Sequence, residues 1–246
     1  MRFKLLFCML ISAKLVAQMG IIFDCDGTLV DSEVLHYQGW NAALEKHGAF
    51  LTLEDYFPLV GNPPMDVARS LQTKFQLPSA EELMQDKRTH YTAVFDEVPS
   101  IERTVRFLKL LGEQKDQLDI KIGVASAGHR VDILAHLGRL GVLHLVDVVV
   151  SGKDDLGHIH DPEGVNKPKP YVYLRAAELL GIDPTRCVAF EDSRPGLLAA
   201  VRAGMITFAV PNLYTLQHDF SQANFVMLPD EEFDSEQFFA QIEGHL

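Results

Sequence analysis

Short apolar runs recur along the chain, and polar or turn residues bound each of them. The runs cover residues 20–25, 120–125, 146–150, 187–190 and 206–210. Their nearly continuous apolarity is typical of parallel strands that are covered on both faces. Helical patterns lie between them, at about residues 100–112, 129–140, 170–180 and 195–203. Alternating strands and helices predict an α/β fold with a doubly wound parallel sheet.

The stretch 33–99 breaks this rhythm, because it holds helical patterns and no convincing strand. The helical segments are residues 32–47, 65–75 and 80–95, and prolines separate them. A helical insertion of this size is near the lower limit for an independent core. We therefore expect two units: a catalytic core of residues 19–32 and 100–246, and a helical cap of residues 33–99 that rests on it.

Residues 1–18 form an N-terminal extension with two interpretations. Arg2 and Lys4 precede the apolar run 5–11, which is similar to a short signal peptide. The run is too short to span a membrane. The alternative, which we favour, is that Met19 is the natural start, since residues 20–23 lead directly into the first strand. We then expect a cytoplasmic protein, with an exported form left open.

Composition narrows the class of partner. The chain has 246 residues and a formal net charge of −12, from 22 Lys and Arg against 34 Asp and Glu. This balance argues against a nucleic-acid partner, because phosphate backbones are bound through basic patches. The 3 cysteines show no CxxC spacing, so neither a disulfide framework nor a zinc site is expected. We expect a monomer without nucleic-acid or membrane partners.

Two carboxylates, Asp24 and Asp26, stand at the carboxyl end of the first predicted strand. Open α/β sheets bind ligands at that edge. Strand alternation points both side chains the same way, and two adjacent carboxylates repel unless a cation neutralises them. The pair therefore indicates a hard divalent ion. The competing interpretation is an Asp-rich turn after a strand.

Two further positions indicate a phosphate site. Ser126 ends the second strand and precedes Ala127, Gly128 and a helix, whose free amides would form a phosphate cradle. A simple N-cap serine is the alternative. Lys167 lies between a loop and a proline-started helix, where its ammonium could meet a phosphoryl group. Lys169 competes for this role.

Acidic residues also end the fourth strand, at Glu191 and Asp192. On the edge where Asp24 should lie, they would complete an oxygen-ligand site for Mg²⁺. The alternative is that this segment, which continues with Ser193, only caps the next helix.

These four motifs, in this order, resemble those of the haloacid dehalogenase superfamily, over about residues 20–211. The likeness is to its phosphatase and β-phosphoglucomutase-like branch, which has a helical cap after the first motif. It implies a Rossmann-like core and a Mg²⁺ cofactor.

The resemblance also implies a role for each matched residue. Asp24 would be the nucleophile and Asp26 the general acid and base, while Ser126 and Lys167 would stabilise the transferring oxygens. The metal ligands would be Asp24, the carbonyl of Asp26, Asp192 and Glu191. The substrate-binding candidates are Gly27, Thr28, His36, Ala127 and Gly128.

Some positions depart from the family pattern. Tyr171 stands where an acidic residue commonly follows the Lys-Pro-x-Pro motif, which affects how Lys167 is oriented. The loop 152–166 is long and holds His158 and His160, so it forms either a solvated insertion or a second metal site. His36 and Trp40 share a face of the first cap helix, either as a packing pair or as residues near Asp26.

The expected activity is a Mg²⁺-dependent phosphatase of small phosphorylated metabolites, such as sugar or polyol phosphates, that forms an aspartyl-phosphate. A sugar-phosphate mutase is the main alternative, and a non-catalytic binding protein is a further one. Asp26 argues against a dehalogenase, and Gly27 against a phosphonatase. The cap loop 59–64 has no positive charge to grip a second phosphate, although Arg69 and Lys74 could compensate. We therefore favour the phosphatase.

Overall fold

The computed structural model describes residues 18–246. The predictions for the N-terminal extension fall almost entirely outside the described residues. Between residues 18 and 246, no helix is long and apolar enough to cross a membrane.

The centre of the protein is a six-stranded sheet in which every pairing is parallel. The strands are β1 (Met19–Phe23), β2 (Ile120–Ser126), β3 (Val148–Ser151), β4 (Cys187–Glu191), β5 (Ile206–Ala209) and β6 (Phe225–Val226). Their order across the sheet is β3-β2-β1-β4-β5-β6, with Ile21 of β1 opposite both Ile122 and Val188. The predicted doubly wound α/β class is confirmed.

Helices cover both faces of this sheet and fill the segment after β1. They are α1 (Ser32–Glu45), α2 (Leu53–Tyr56), α3 (Pro64–Phe75), α4 (Ala80–Ala93), α5 (Glu102–Leu118), α6 (Arg130–Arg139), α7 (Tyr171–Leu180), α8 (Arg194–Arg202) and α9 (Ser235–Glu243). Four short 3₁₀ helices occupy Phe57–Leu59, Phe95–Glu97, Leu143–Leu145 and Pro184–Arg186 in the described part of the chain.

The buried apolar side chains form three clusters. One packs α5, α6 and α9 against one face of the sheet and includes Phe107, Leu137 and Phe208. A second packs α7 and α8 against the other face, where alanines let the helices approach closely. The third lies between α1, α3 and α4, around Trp40. Strand alternation explains the first two, because successive residues of β1 face opposite sides.

Several boundaries differ from the sequence prediction. α5 continues through Gly112 to Leu118, because this glycine permits close approach and does not end the helix: a Cβ there would lie 2.8 Å from the Cβ of Leu145. β1 ends at Phe23, directly before Asp24. The short elements α2 and β6 and the C-terminal helix α9 were not predicted.

The aromatic cluster around β5 allows a test of the fold. Phe208 stacks on Phe190 and Phe225 with centroid distances of 5.2 and 4.5 Å. We expect Phe208→Ala to lower the free energy of unfolding by about 3–5 kcal/mol, because it leaves a cavity in the core. Leu179→Ala, at an exposed position of α7, should cost under about 1 kcal/mol. Urea denaturation would measure both, and equal losses would contradict this account of the core.

Candidate active site

The predicted catalytic residues meet at one edge of the sheet. Asp24 follows β1, Ser126 ends β2, and Glu191 ends β4 with Asp192 next to it. Because all strands are parallel, their carboxyl ends share this edge, and the sequence-distant carboxylates converge there.

Asp24 and Lys167 form a buried ion pair. Lys167 Nζ lies 2.6 Å from Asp24 Oδ1 and also binds Oε1 of Glu191. Burial lowers the pKa of Lys167, but the charges of Asp24 and Glu191 raise it by more, so the ammonium stays charged. Burial raises the pKa of Asp24 to about 8, and Lys167 opposes this shift only in part. One lysine does not neutralise the site.

A second cation fits beside this pair. Asp24, Glu191 and Asp192 are 4%, 1% and 4% exposed, and a carboxylate oxygen from each lies within 4.8 Å of the others. Asp24 Oδ2 is buried and has no hydrogen-bond partner among residues 18–246. Burial, together with the charges of Glu191 and Asp24, raises the pKa of Asp192 well above its usual value. An all-oxygen set with an unpartnered buried oxygen suits Mg²⁺, which would stabilise the ionised carboxylates.

Asp26 lies apart from this cluster and faces Ser126. Ser126 Oγ donates to Asp26 Oδ2 at 3.0 Å and accepts from the Gly128 amide at 2.9 Å. Ser126 does not cap α6, which begins at Arg130 and whose first amide donates to Asp154 Oδ2. Of the amides expected to form a phosphate cradle, those of Gly128 and Arg130 thus already donate to Ser126 Oγ and Asp154 Oδ2.

The remaining substrate-binding candidates have different environments. Gly27 has a φ of +87°, and a Cβ there would lie 2.3 Å from Asp192 Oδ2, so only glycine fits. Thr28 is fully buried, and its hydroxyl has no partner within the described chain. Ala127 is exposed beside Gly128. Ser193 caps α8 by accepting from the Gly196 amide, whereas the neighbouring Asp192 joins the acidic cluster.

His36 lines a pocket of about 150 Å³ between α1, α4 and the loop after α2. His36 Nδ1 lies 2.7 Å from Lys87 Nζ, and its ring stacks on Tyr91. Burial, aided by the charge of Lys87, lowers the pKa of His36 to about 3, so the imidazole is neutral. Trp40 lines the same pocket and also packs in the apolar cluster between α1, α3 and α4, so it has both roles.

The structure separates the two candidate lysines. Lys169 forms ion pairs with Asp161 and Glu163 in the loop after β3, at 3.2 and 2.5 Å. Tyr171, which stands where the motif commonly has an acidic residue, donates to Asp161 of this loop at 2.8 Å. Lys167 alone of the two reaches Asp24.

The long loop does not complete a second metal site in the part of the chain that the structure describes. His158 and His160 are exposed, and the residue group with suitable metal-ligand spacing comprises Asp24, Glu191 and Asp192. The solvated insertion is the interpretation that agrees with this geometry.

Comparison with known proteins identifies the family. A sequence model described as haloacid dehalogenase-like hydrolase matches residues 19–204, more than half of the chain. The chain belongs to this family. The expected hydrolase assignment is thus confirmed.

Individual relatives agree with this assignment. The haloacid dehalogenase-like chain is 32% identical to the "Putative phosphatase YhcW" of Bacillus subtilis (strain 168), over 80% of this chain and 84% of that protein. It is 28% identical to the fructose-1-phosphate phosphatase YqaB of Escherichia coli (strain K12), over 76% and 93%. The solved structure titled "putative beta-phosphoglucomutase" from Thermotoga maritima has a TM-score of 0.69 at 25% identity, over 87% and 96%.

Sequence reasoning missed three polar residues at the site of this hydrolase. Lys87 is 6% exposed and lines the pocket with His36. Tyr173 donates to Glu191 Oε1 at 2.6 Å, and Asn212 donates to Asp192 Oδ2 at 3.0 Å. Tyr173 lies six residues after Lys167, on the face of α7 that meets the sheet. This short spacing was a weak sequence signal that Tyr173 lies near the site. Lys87 and Asn212 lie outside the four motifs, and only folding brings them to the site.

The paired lysines provide a test of this geometry. Lys167→Met removes the only protein cation among three buried carboxylates in the described structure, so we expect the free energy of unfolding without metal to fall by at least about 2 kcal/mol. Lys169→Met breaks partly exposed pairs and should cost under about 1 kcal/mol. Urea denaturation in a chelator would measure both variants. A larger loss of unfolding free energy for Lys169→Met than for Lys167→Met would show that Lys167 is not the main stabilising cation of the site.

Proposed function

We propose that this hydrolase is a Mg²⁺-dependent phosphatase of sugar or polyol phosphates that acts through a phosphorylated Asp24. The observation that carries the proposal is the buried carboxylate cluster, in which Lys167 binds one oxygen of Asp24 and no residue from 18 to 246 hydrogen-bonds to the other. The enzyme class, a phosphoric monoester hydrolase, is confirmed by the relatives. A monomeric cytoplasmic enzyme with no nucleic-acid partner remains part of the proposal.

The residues that would hold Mg²⁺ are Asp24, Asp192 and Glu191, with the backbone carbonyl of Asp26. When bound, Mg²⁺ supplies positive charge that screens the nucleophile from the anionic phosphate. Glu191 has a further task, because its Oε1 accepts from both Lys167 and Tyr173. We infer that Glu191 orients Lys167 as well as contributing charge to the metal site.

Asp24 is suited to act as the nucleophile. Lys167 holds Oδ1 at 2.6 Å and fixes the carboxylate, while Oδ2 has no hydrogen-bond partner among the described residues. One oxygen of Asp24 would attack phosphorus and form an aspartyl-phosphate, which divides one difficult displacement into two easier steps, while the other oxygen would remain for the metal. Lys167 would also stabilise charge on the transferring oxygens.

Asp26 is suited to proton transfer. Its carboxyl would protonate the leaving alcohol and then take a proton from the water that attacks the phosphorylated Asp24. The hydrogen bond from Ser126 at 3.0 Å orients this carboxyl. Ser126 therefore has a positioning role towards Asp26, besides the proposed contact with phosphate oxygens. A Cβ at Gly128 would lie 3.3 Å from both Asp26 Oδ2 and Ser126 Oγ, so a glycine here keeps the space beside these two groups open.

The substrate class follows from the pocket in the proposed cap, residues 33–99. Its polar groups include His36, Lys87, Glu33 and Asn62, and the aromatic rings of Trp40 and Tyr56 line it as well. Neutral and charged hydrogen-bonding groups beside aromatic rings suit a hydroxylated carbon chain. The volume of about 150 Å³ suits a small one. The named activity of the Escherichia coli relative, on fructose 1-phosphate, supports this class.

A sugar-phosphate mutase is the second candidate, because the pocket contains a cation, Lys87, that the sequence analysis did not anticipate. A mutase must grip the distal phosphate of a bisphosphorylated intermediate. Lys87 Nζ is already bound to His36, and Arg69 and Lys74 pair with Asp66 and Asp55 at exposed positions. These contacts favour hydrolysis.

Replacing the nucleophile provides the first test of the proposed chemistry. Asp24→Asn should lower turnover of fructose 1-phosphate by at least about 10³-fold, because a neutral amide cannot attack phosphorus. Asp183→Asn changes an exposed aspartate at the opposite edge of the sheet and serves as the control. Phosphate release would be measured for both. Activity of Asp24→Asn within tenfold of the unmodified enzyme would refute this mechanism.

Metal removal provides the second test. We expect chelation to abolish phosphate release and added Mg²⁺ to restore it, because three carboxylates would otherwise repel the substrate. Ca²⁺ should restore little activity, since it prefers more ligands and looser geometry. Steady-state assays of dialysed enzyme with each metal would show this. Full activity in excess chelator would exclude a metal role for Asp192 and Glu191.

The third test separates the phosphatase from the mutase. Because Lys87, Arg69 and Lys74 are each already paired, water should reach phosphorylated Asp24 faster than a sugar hydroxyl does. Incubation with β-glucose 1-phosphate and a trace of β-glucose 1,6-bisphosphate should then release inorganic phosphate as the main product. Accumulation of glucose 6-phosphate ahead of inorganic phosphate would establish the mutase instead.

A further inference from the structure

The loop after β5 contacts the acidic cluster through Asn212. Asn212 Nδ2 donates to Asp192 Oδ2 at 3.0 Å and to the carbonyl of Gly27 at 3.1 Å. Its Oδ1 accepts from the Tyr214 amide at 2.9 Å. The orientation of the amide is therefore determined, because only Oδ1 can accept from a backbone N–H. Nδ2 must then face the carboxylate.

These bonds join the two loops that carry the acidic residues. Gly27 follows Asp24 and Asp26, whereas Asp192 follows β4, and no covalent connection holds the two loops at a fixed distance. Asn212 bridges them with both protons of one amide group. A carboxylate with one oxygen held in this way has fewer orientations to lose when its ligand binds. Asn212 is thus placed to prepare Asp192 for a cation.

The same loop contacts the other unit of the protein through Tyr214. Tyr214 is 6% exposed and belongs to the apolar cluster around α1, α3 and α4. Its ring lies edge-on to Tyr56 and Phe57, at centroid distances of 6.0 and 6.2 Å. Tyr56 in turn donates to Glu33 in the pocket at 2.6 Å. Asn212, which contacts Asp192, and Tyr214, which contacts the pocket residue Tyr56, therefore lie only two positions apart in the chain.

We propose that Asn212 is a positioning residue for Asp192, and that the segment Asn212–Tyr214 couples the position of the cap to the affinity of the metal site. The proposal rests on the proposed function in one respect, the assignment of Asp192 as a metal ligand. A displacement of the ring of Tyr214 moves its amide, which fixes Asn212 Oδ1, and thereby changes the hydrogen bond to Asp192.

Binding of Mg²⁺ to the metal-free enzyme, measured by isothermal titration calorimetry, tests the first part. Asn212→Leu keeps the volume and removes both donors, so we expect the Kd for Mg²⁺ to rise about tenfold or more. Asn212→Ala is a second variant in case the first does not fold, which circular dichroism would show. Asn224→Ala removes another amide, one that is bonded to Thr207 of β5, and should leave the Kd unchanged. A Kd for Asn212→Leu or Asn212→Ala within twofold of the unmodified enzyme would overturn the proposal.

A double-mutant cycle tests the coupling. Tyr214→Ala should also raise the Kd for Mg²⁺, although Tyr214 bonds to no acidic residue of the cluster. Because both residues act through one segment, the double variant should bind Mg²⁺ no more weakly than Asn212→Leu alone. Additive losses, or an unchanged Kd for Tyr214→Ala, would overturn the coupling.

Asp192→Asn distinguishes failure of this proposal from failure of the proposed function. Loss of Mg²⁺ binding in Asp192→Asn with an unchanged Kd in Asn212→Leu would overturn only the positioning role. Unchanged Mg²⁺ binding in Asp192→Asn would show that Asp192 is not a metal ligand, and the metal site of the proposed function would then be wrong. The apparent Mg²⁺ activation constant should follow the Kd, whereas the KM for the sugar phosphate in saturating Mg²⁺ should not change in Asn212→Leu.

Discussion

Three buried carboxylates repel one another at the carboxyl ends of β1 and β4, and much of the structure serves to hold them there. Asp24, Glu191 and Asp192 are each at most 4% exposed, so water screens their charges little. Lys167 supplies one positive charge against the three. The remaining imbalance of charge suits a divalent cation and is the basis of the proposed Mg²⁺ site.

The packing of the core keeps these charges at fixed positions. Gly27 leaves room for the carboxylate of Asp192, and Gly196 leaves room for Glu191, whose carboxylate lies 2.0–2.1 Å from where a Cβ would stand. Around them, strands buried on both faces provide a rigid support with little freedom to relax. The acidic cluster therefore lies at the sheet edge, whereas the pocket near Lys87 lies among the helices after β1.

Much of this arrangement could be predicted from the sequence, because it depends on local patterns. Buried parallel strands read as apolar runs, and glycines follow the helices that end before them, as Gly181 and Gly204 do with positive φ. Asp24 was recognisable because it stands at the end of a predicted strand. Lys167 was recognisable because it lies just before a helix that starts with a proline. Gly112 misled the prediction, since a glycine that permits helix packing and one that ends a helix look alike in sequence.

The sequence by itself determined the fold class, the family and the identity of the charged groups, since these follow from periodicity and from short motifs in a fixed order. Tertiary structure alone decided which charges meet. It brought Lys87 to His36, linked Asn212 to Asp192, and gave Lys169 to Asp161 and Glu163 instead of to the active site. Such contacts join residues from 20 to more than 50 positions apart, or depend on which way a loop turns, and no local pattern records the path of the chain between them.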